Sequence, residues 1–92
     1  MTQIKNINVT FNRTFSKAYD KVDFKIRKSV RKRINIFIRD PFCDVLNNHM
    51  LTGEYSGFRS INITGDWRAL FIELKDGQVK FMFLGTHSQL YK

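Results

Sequence analysis

Trp67-Arg-Ala-Leu-Phe-Ile-Glu-Leu74, Lys75-Asp-Gly77 and Gln78-Val-Lys-Phe-Met-Phe-Leu84 follow one another in the chain, and their reading decides the fold. An Asp-Gly pair between two β-rich apolar runs is the strongest short-range hairpin signal, because a type I′ turn needs positive φ at both central residues. A two-residue turn at Asp76-Gly77 sets Glu73 against Lys80, an opposite-charge pair, and Asp66 against His87. Arg68 falls one pair inward on the same face, since side chains alternate with period two. Directly opposed Cβ atoms lie about 4.5–5.5 Å apart. An acid, a histidine and an arginine therefore meet at the open end of the hairpin. Both faces of the two strands are apolar, with Leu70, Ile72, Phe81 and Phe83 on one and Ala69, Phe71, Met82 and Leu84 on the other. That pattern predicts strands central in a sheet.

Upstream, Phe58 to Ile63 reads as a further strand, with Arg59, Ile61 and Ile63 on one face, and Thr64-Gly65 turns it into the hairpin. Residues 41–57 read as loop, with turn chemistry at Asn47-Asn48, Gly53 and Gly57 and with Leu46, Met50 and Leu51 tucked against the core edge. Before the loop, Val22, Ile26, Val30, Ile34, Phe37 and Ile38 step by three or four residues as one helical stripe. Asp40-Pro41 ends that helix, since proline disfavours α conformation in the residue before it. Phe15, Ala18, Tyr19 and Val22 mark a first helix that Asn12 or Thr14 can cap. The pattern leaves open whether a break at Val22-Asp23 divides two helices. Ile4 to Phe11 alternates as a strand. The tail, Ser88 to Lys92, reads as a short polar-aromatic end. The order β-α-(α)-β-β-β predicts an α+β domain, its one or two N-terminal helices on one face of a small, mainly antiparallel sheet.

Ninety-two residues, 42% of them hydrophobic and nine of them Phe, suffice for one domain spanning 1–92 with its own core. The net charge of +8 implies an anionic partner. Residues 1–40 hold eleven Lys/Arg against three Asp/Glu, whereas residues 41–92 hold five of each. The lone cysteine, Cys43, fits a reducing compartment and has no activating neighbour, so it reads as a structural thiol. The N-terminus lacks an apolar signal segment, and no apolar run approaches a membrane span of about 20 residues. A soluble cytoplasmic protein with no membrane partner is the expectation. Two distant histidines and one cysteine do not make a zinc site of usual spacing, and no glycine-rich phosphate loop is present, so no metal or cofactor is expected.

His49-Met-Leu-Thr-Gly53, Gly57-Phe-Arg-Ser60, Asp66-Trp-Arg-Ala69 and Gly85-Thr-His-Ser-Gln-Leu-Tyr91 resemble the RelE/ParE superfamily of small type II toxins, and within it the YafQ-like branch. The basic helical half and Asp40-Pro41 also fit, so the resemblance covers nearly the whole chain. It implies a RelE-like fold and a ribosome-dependent endoribonuclease that cuts mRNA in the decoding site and is neutralised by a cognate antitoxin. Carried over by position, the pattern marks His49, Asp66, Trp67, His87 and Tyr91 as functional. A strand histidine of the YafQ-like pattern is here Asn62, which cannot transfer protons. Arg68 stands where the RelE-like branch has a phosphate-binding arginine.

Metal-free RNA cleavage needs a base for the 2′-OH proton, an acid for the leaving 5′-oxygen and positive charge for the phosphorane-like transition state. Histidine suits either proton role, its ordinary pKa being about 6.5. The expected roles are His87 as main acid–base residue, Asp66 orienting it or acting as base, and Arg68 stabilising phosphate charge. Trp67 and Tyr91 can stack on bases. Arg59 is a further candidate RNA contact, although its face, shared with Ile61 and Ile63, points to structural pairing. Lys21, Lys25, Lys28 and Lys32 lie on the basic helical surface expected to meet ribosomal RNA phosphates. Two rival readings share this fold or charge: a ParE-like toxin that blocks gyrase by binding, and a non-catalytic basic RNA-binding protein.

Overall fold

The Asp76-Gly77 turn forms with both residues at positive φ, 60° and 75°, and the Gln78 N–H reaches the Lys75 carbonyl at 3.3 Å. The computed structural model describes residues 7–91. Over these the chain runs β1 (Asn8–Phe11), α1 (Arg13–Lys21), α2 (Phe24–Arg39), β2 (His49–Met50), β3 (Arg59–Asn62), β4 (Trp67–Glu73), β5 (Gln78–Thr86) and the one-turn α3 (His87–Leu90). The strands form one sheet in the order β1-β5-β4-β3-β2. Only the β1–β5 pair is parallel. The expected α+β architecture is present, and the doubly apolar strands β4 and β5 are interior. The predicted first strand is present over Asn8–Phe11, and its residues Ile4 to Asn6 lie outside the described residues.

The hairpin register departs from the simple turn in its tip half. The Leu74 N–H bonds the Gln78 carbonyl at 2.7 Å, so Glu73 faces Val79, and Lys80 faces Ile72. The expected Glu73–Lys80 pair does not form. Between Leu70 and Phe71 a bulge corrects the slip: Leu70 pairs with Phe83 and Phe71 with Phe81, leaving Met82 extra. Beyond it, Arg68 pairs with Gly85 and Trp67 with Thr86, as a two-residue turn predicts. The bulge also moves Phe81 to the face opposite the one expected. Phe81 and Leu84, an odd number of residues apart, both belong to the same buried cluster as Ala69 and Phe71. Strict alternation forbids that; one inserted residue permits it.

That cluster lies between the sheet and helices α1 and α2, with Phe15, Val30, Ile34, Phe37 and Ile61. Phe81, fully buried, is its centre. Its ring lies 5.0 Å from Phe71, 5.5 Å from Phe37 and 5.8 Å from Phe15, centroid to centroid, spacings suited to tilted and edge-to-face contact.

The helical half breaks at Val22-Asp23 because each helix has its own cap. Asn12 Oδ1 accepts from Phe15 N at 2.8 Å, and Asp23 Oδ1 from Ile26 N at 3.1 Å. Arg27 Nη1 closes the end of α1 by donating to the Val22 carbonyl at 3.0 Å. Asn12→Ala should cost about 1 kcal/mol of stability. A urea midpoint unchanged by that substitution would show the cap to be idle.

Residues 41–57, expected as loop, contain 3₁₀ turns at Asp44–Leu46 and Gly53–Tyr55 and the edge strand β2. Leu46 is buried as expected, but Met50 points outward and is 67% exposed. A two-residue edge strand lacks enough alternation to reveal its buried side.

Candidate active site

Helices α1 and α2 cover one face of the sheet. The other carries two rows set by the register: His49, Ser60, Leu70 and Phe83, then Asn62, Arg68 and Gly85. After Thr86 the chain turns into α3 through a capping box. Thr86 Oγ1 accepts from Gln89 N at 3.3 Å, and Gln89 Oε1 accepts from Thr86 N at 2.8 Å. Gly85 permits the turn to lie flat, since a Cβ there would meet Leu90 Cγ at 3.2 Å and Gln89 Oε1 at 3.1 Å. The Thr86-x-x-Gln89 spacing is a legible capping signal, and it accounts for the tail read as merely polar and aromatic.

His87 is the first residue of α3 and is exposed. Its ring centroid lies 4.7 Å from that of Tyr91. Tyr91 meets Tyr55 edge-on at 5.7 Å, and Tyr55 in turn packs on Phe58 and Phe83. The Tyr55 hydroxyl donates to the Leu90 carbonyl at 2.9 Å, tying α3 down from 35 residues away in sequence. An aromatic buttress thus backs His87. Tyr55 was absent from the sequence-derived site; its sole sequence signal is an aromatic residue between Gly53 and Gly57 in an otherwise polar stretch.

Asp66 and His87 do meet, but the bond between them is main-chain: the His87 N–H donates to the Asp66 carbonyl at 3.0 Å. Arg68 is turned back on the bend that precedes it. Its Nη1 lies 3.1 Å from each of the carbonyls of Thr64, Gly65 and Trp67. Two protons shared among three acceptors pin this bend, and the bend presents the Asp66 carbonyl to His87. Arg68 thus braces the site through one nitrogen.

The remaining candidates are dispersed. His49 sits on β2, three strand spacings from β5, or about 14 Å across the face. Its Nδ1 lies 2.8 Å from the Asn47 carbonyl. A carbonyl only accepts, so Nδ1 carries the proton and Nε2 of the neutral ring holds the free lone pair. Trp67 packs against the helix-covered core, away from the face that carries Arg68, because it alternates with Arg68. Base stacking on that face is therefore not open to it. Arg59 Nε donates to Asn48 Oδ1 at 2.8 Å, and its guanidinium lies over the Phe42 ring at 5.3 Å. Both contacts are structural pairing at the sheet edge.

Lys21, Lys25, Lys28 and Lys32 are all exposed. The last three, with Ile26, Ser29 and Thr64, line an open concavity of about 500 Å³. Thr64 joins this basic surface to the bend that holds Asp66. Among the described residues no three His, Cys, Asp or Glu side chains gather as metal ligands, and no helix is long and apolar enough to cross a membrane.

A family model described as a bacterial toxin of type II toxin–antitoxin system, YafQ, matches residues 5–92. No curated protein sequence matches significantly. The fold is similar to that of YafQ from E. coli strain BL21(DE3), with TM-score 0.67 and 22% identity over 94% of this chain and 99% of that one. It is also similar to the YoeB/ParE toxin from Agrobacterium tumefaciens, with TM-score 0.74 and 18% identity over 88% and 99%. A third similar structure is the RelBE2 toxin–antitoxin complex from Mycobacterium tuberculosis, with TM-score 0.76 and 19% identity over 94% and 97%.

Proposed function

This chain belongs to the YafQ family, toxins of type II toxin–antitoxin systems, and on that premise we propose that it is a ribosome-dependent endoribonuclease that cleaves mRNA by acid–base catalysis without a metal. Its partners are a cognate antitoxin, the ribosome and mRNA, and its compartment is the cytoplasm. The observation that carries the reading is the buttressed, solvent-facing His87 beside the Arg68-braced bend.

In the proposed reaction the 2′-oxygen attacks phosphorus as its proton leaves, and the bond to the 5′-oxygen breaks as that oxygen gains a proton. The products are a 2′,3′-cyclic phosphate and a 5′-hydroxyl. The attacking and leaving oxygens lie roughly in line on opposite sides of phosphorus. His49, on the edge strand β2, and His87, on α3, are both exposed to solvent. His49 Nε2 has the lone pair to take the 2′ proton, and His87 supplies the proton to the leaving oxygen. Asp66 acts through its main chain by fixing His87, while Tyr91 backs the ring. The Nε and Nη2 edge of Arg68 is the part of the guanidinium that would face the phosphate.

Expression followed by mapping of mRNA 5′ ends tests the assignment. In-frame cuts that require translation are expected; intact mRNA with damaged DNA would place the protein with gyrase-blocking toxins instead. Arg68→Ala should slow cleavage by about 10²–10³-fold, the range for loss of one transition-state donor, with ribosome affinity nearly unchanged. Equal losses in both would refute its charge-stabilising role. Lys28→Glu with Lys32→Glu should do the reverse, lowering ribosome affinity and flattening its salt dependence by about one unit of slope per lysine. Unchanged affinity would remove α2 as the docking face.

A further inference from the structure

One aromatic residue on the basic helix has no packing role. Phe24 is the first residue of α2 and is 61% exposed. The cap immediately before it, Asp23, needs no aromatic neighbour. Burial of such a side chain is strongly favourable, and here most of that gain is forgone. Four residues on, one turn along the helix, Lys28 Nζ lies over the ring at 5.9 Å from its centroid, within cation–π range. Lys28 also lines the concavity with Lys25, Lys32, Ser29 and Thr64. An ammonium thus lies over a ring that is otherwise largely exposed. Beside the ring, three lysines and two hydroxyls surround a hollow large enough for a phosphate.

Lysines alone read nucleic acid as a line of charges and do not distinguish paired from unpaired bases. A flat open ring next to a phosphate hollow does, because a base can stack on it only after leaving its own helix. We propose that Phe24 and the Lys25–Lys28–Lys32 hollow form a site for a single unpaired nucleotide of ribosomal RNA. The phosphate sits among the ammonium groups, and the base stacks on the exposed ring of Phe24. The inference rests on α2 being the ribosome-facing surface and adds to it the kind of RNA structure that α2 selects.

Binding of labelled RNA hairpins with one stem sequence, with or without a single unpaired adenosine, tests this alongside ribosome binding, all on the His87→Ala background to prevent cleavage. The bulged hairpin should bind about 5- to 150-fold more tightly, the range that stacking of one base supplies. Phe24→Ala and Phe24→Leu should both erase that preference and weaken ribosome binding, whereas Phe24→Trp should retain both. Lys28→Glu with Lys32→Glu should weaken both hairpins alike. A preference that survives Phe24→Ala, or that Leu preserves as well as Trp, overturns the proposal. So does a Phe24→Ala effect confined to unstructured single strands with ribosome affinity intact, since the ring would then serve mRNA. Loss of affinity with the lysine pair but not with Phe24 rejects the stacking site and keeps the docking face. No loss with the lysine pair rejects the docking face itself.

Discussion

His87→Ala should abolish translation-dependent mRNA cleavage, lowering the rate by about 10²–10⁴-fold, the usual contribution of a positioned acid or base. The substitution leaves the fold intact for specific reasons. His87 is exposed, so little apolar area is lost. Its bond to Asp66 uses the main-chain N–H, which alanine keeps. The α3 cap depends on Thr86 and Gln89, and alanine is the better helix former. What disappears is the imidazole and its contact with Tyr91. The variant should therefore bind ribosomes and its antitoxin with near-native affinity while single-turnover cleavage on programmed ribosomes collapses. A residual rate within tenfold of the parent would mean that another group transfers the proton.

Phe81→Ala should cost about 3–5 kcal/mol in stability, the range for truncating a buried aromatic. Small domains are stable by only about 5–15 kcal/mol, so this variant sits at the edge of folding at 37 °C. Phe81 is fully buried, and its ring meets those of Phe11, Phe15, Phe37 and Phe71, which come from β1, α1, α2 and β4. Truncation opens a hole where four elements converge, and none can close it without moving the others. Equilibrium urea unfolding measures the loss. Phe24→Ala, at an exposed position, should change stability by less than about 0.5 kcal/mol. A Phe81→Ala loss below about 1 kcal/mol would mean that the bulge at Met82 can relax and send a different side chain inward.

Much of the candidate site was legible because its ends are set by local rules. Asp76-Gly77 specifies the turn, and Asp66 and His87 meet at the open end through their main chains. Arg68 also stands where the register predicts, yet only because the bulge cancels a slip at the tip. Trp67 and Arg59 take up packing contacts for different reasons. Trp67 has the right parity for the covered face, but a motif match carries no parity. Arg59 reaches an acceptor, Asn48, and a ring, Phe42, supplied by a segment read as loop.

Taken alone, the amino-acid sequence determined the hairpin turn, a first-helix cap at Asn12 or Thr14 and the basic surface of α2. Each depends on backbone dihedrals and hydrogen bonds within about four residues, or on side-chain spacing along one helix. Only the tertiary structure decided which face Phe81 occupies, that Tyr55 anchors the α3 turn behind His87, and that Arg68 folds onto its own bend. Those outcomes depend on where volume and unpaired carbonyls remain once the sheet meets the helices. No local pattern encodes that space.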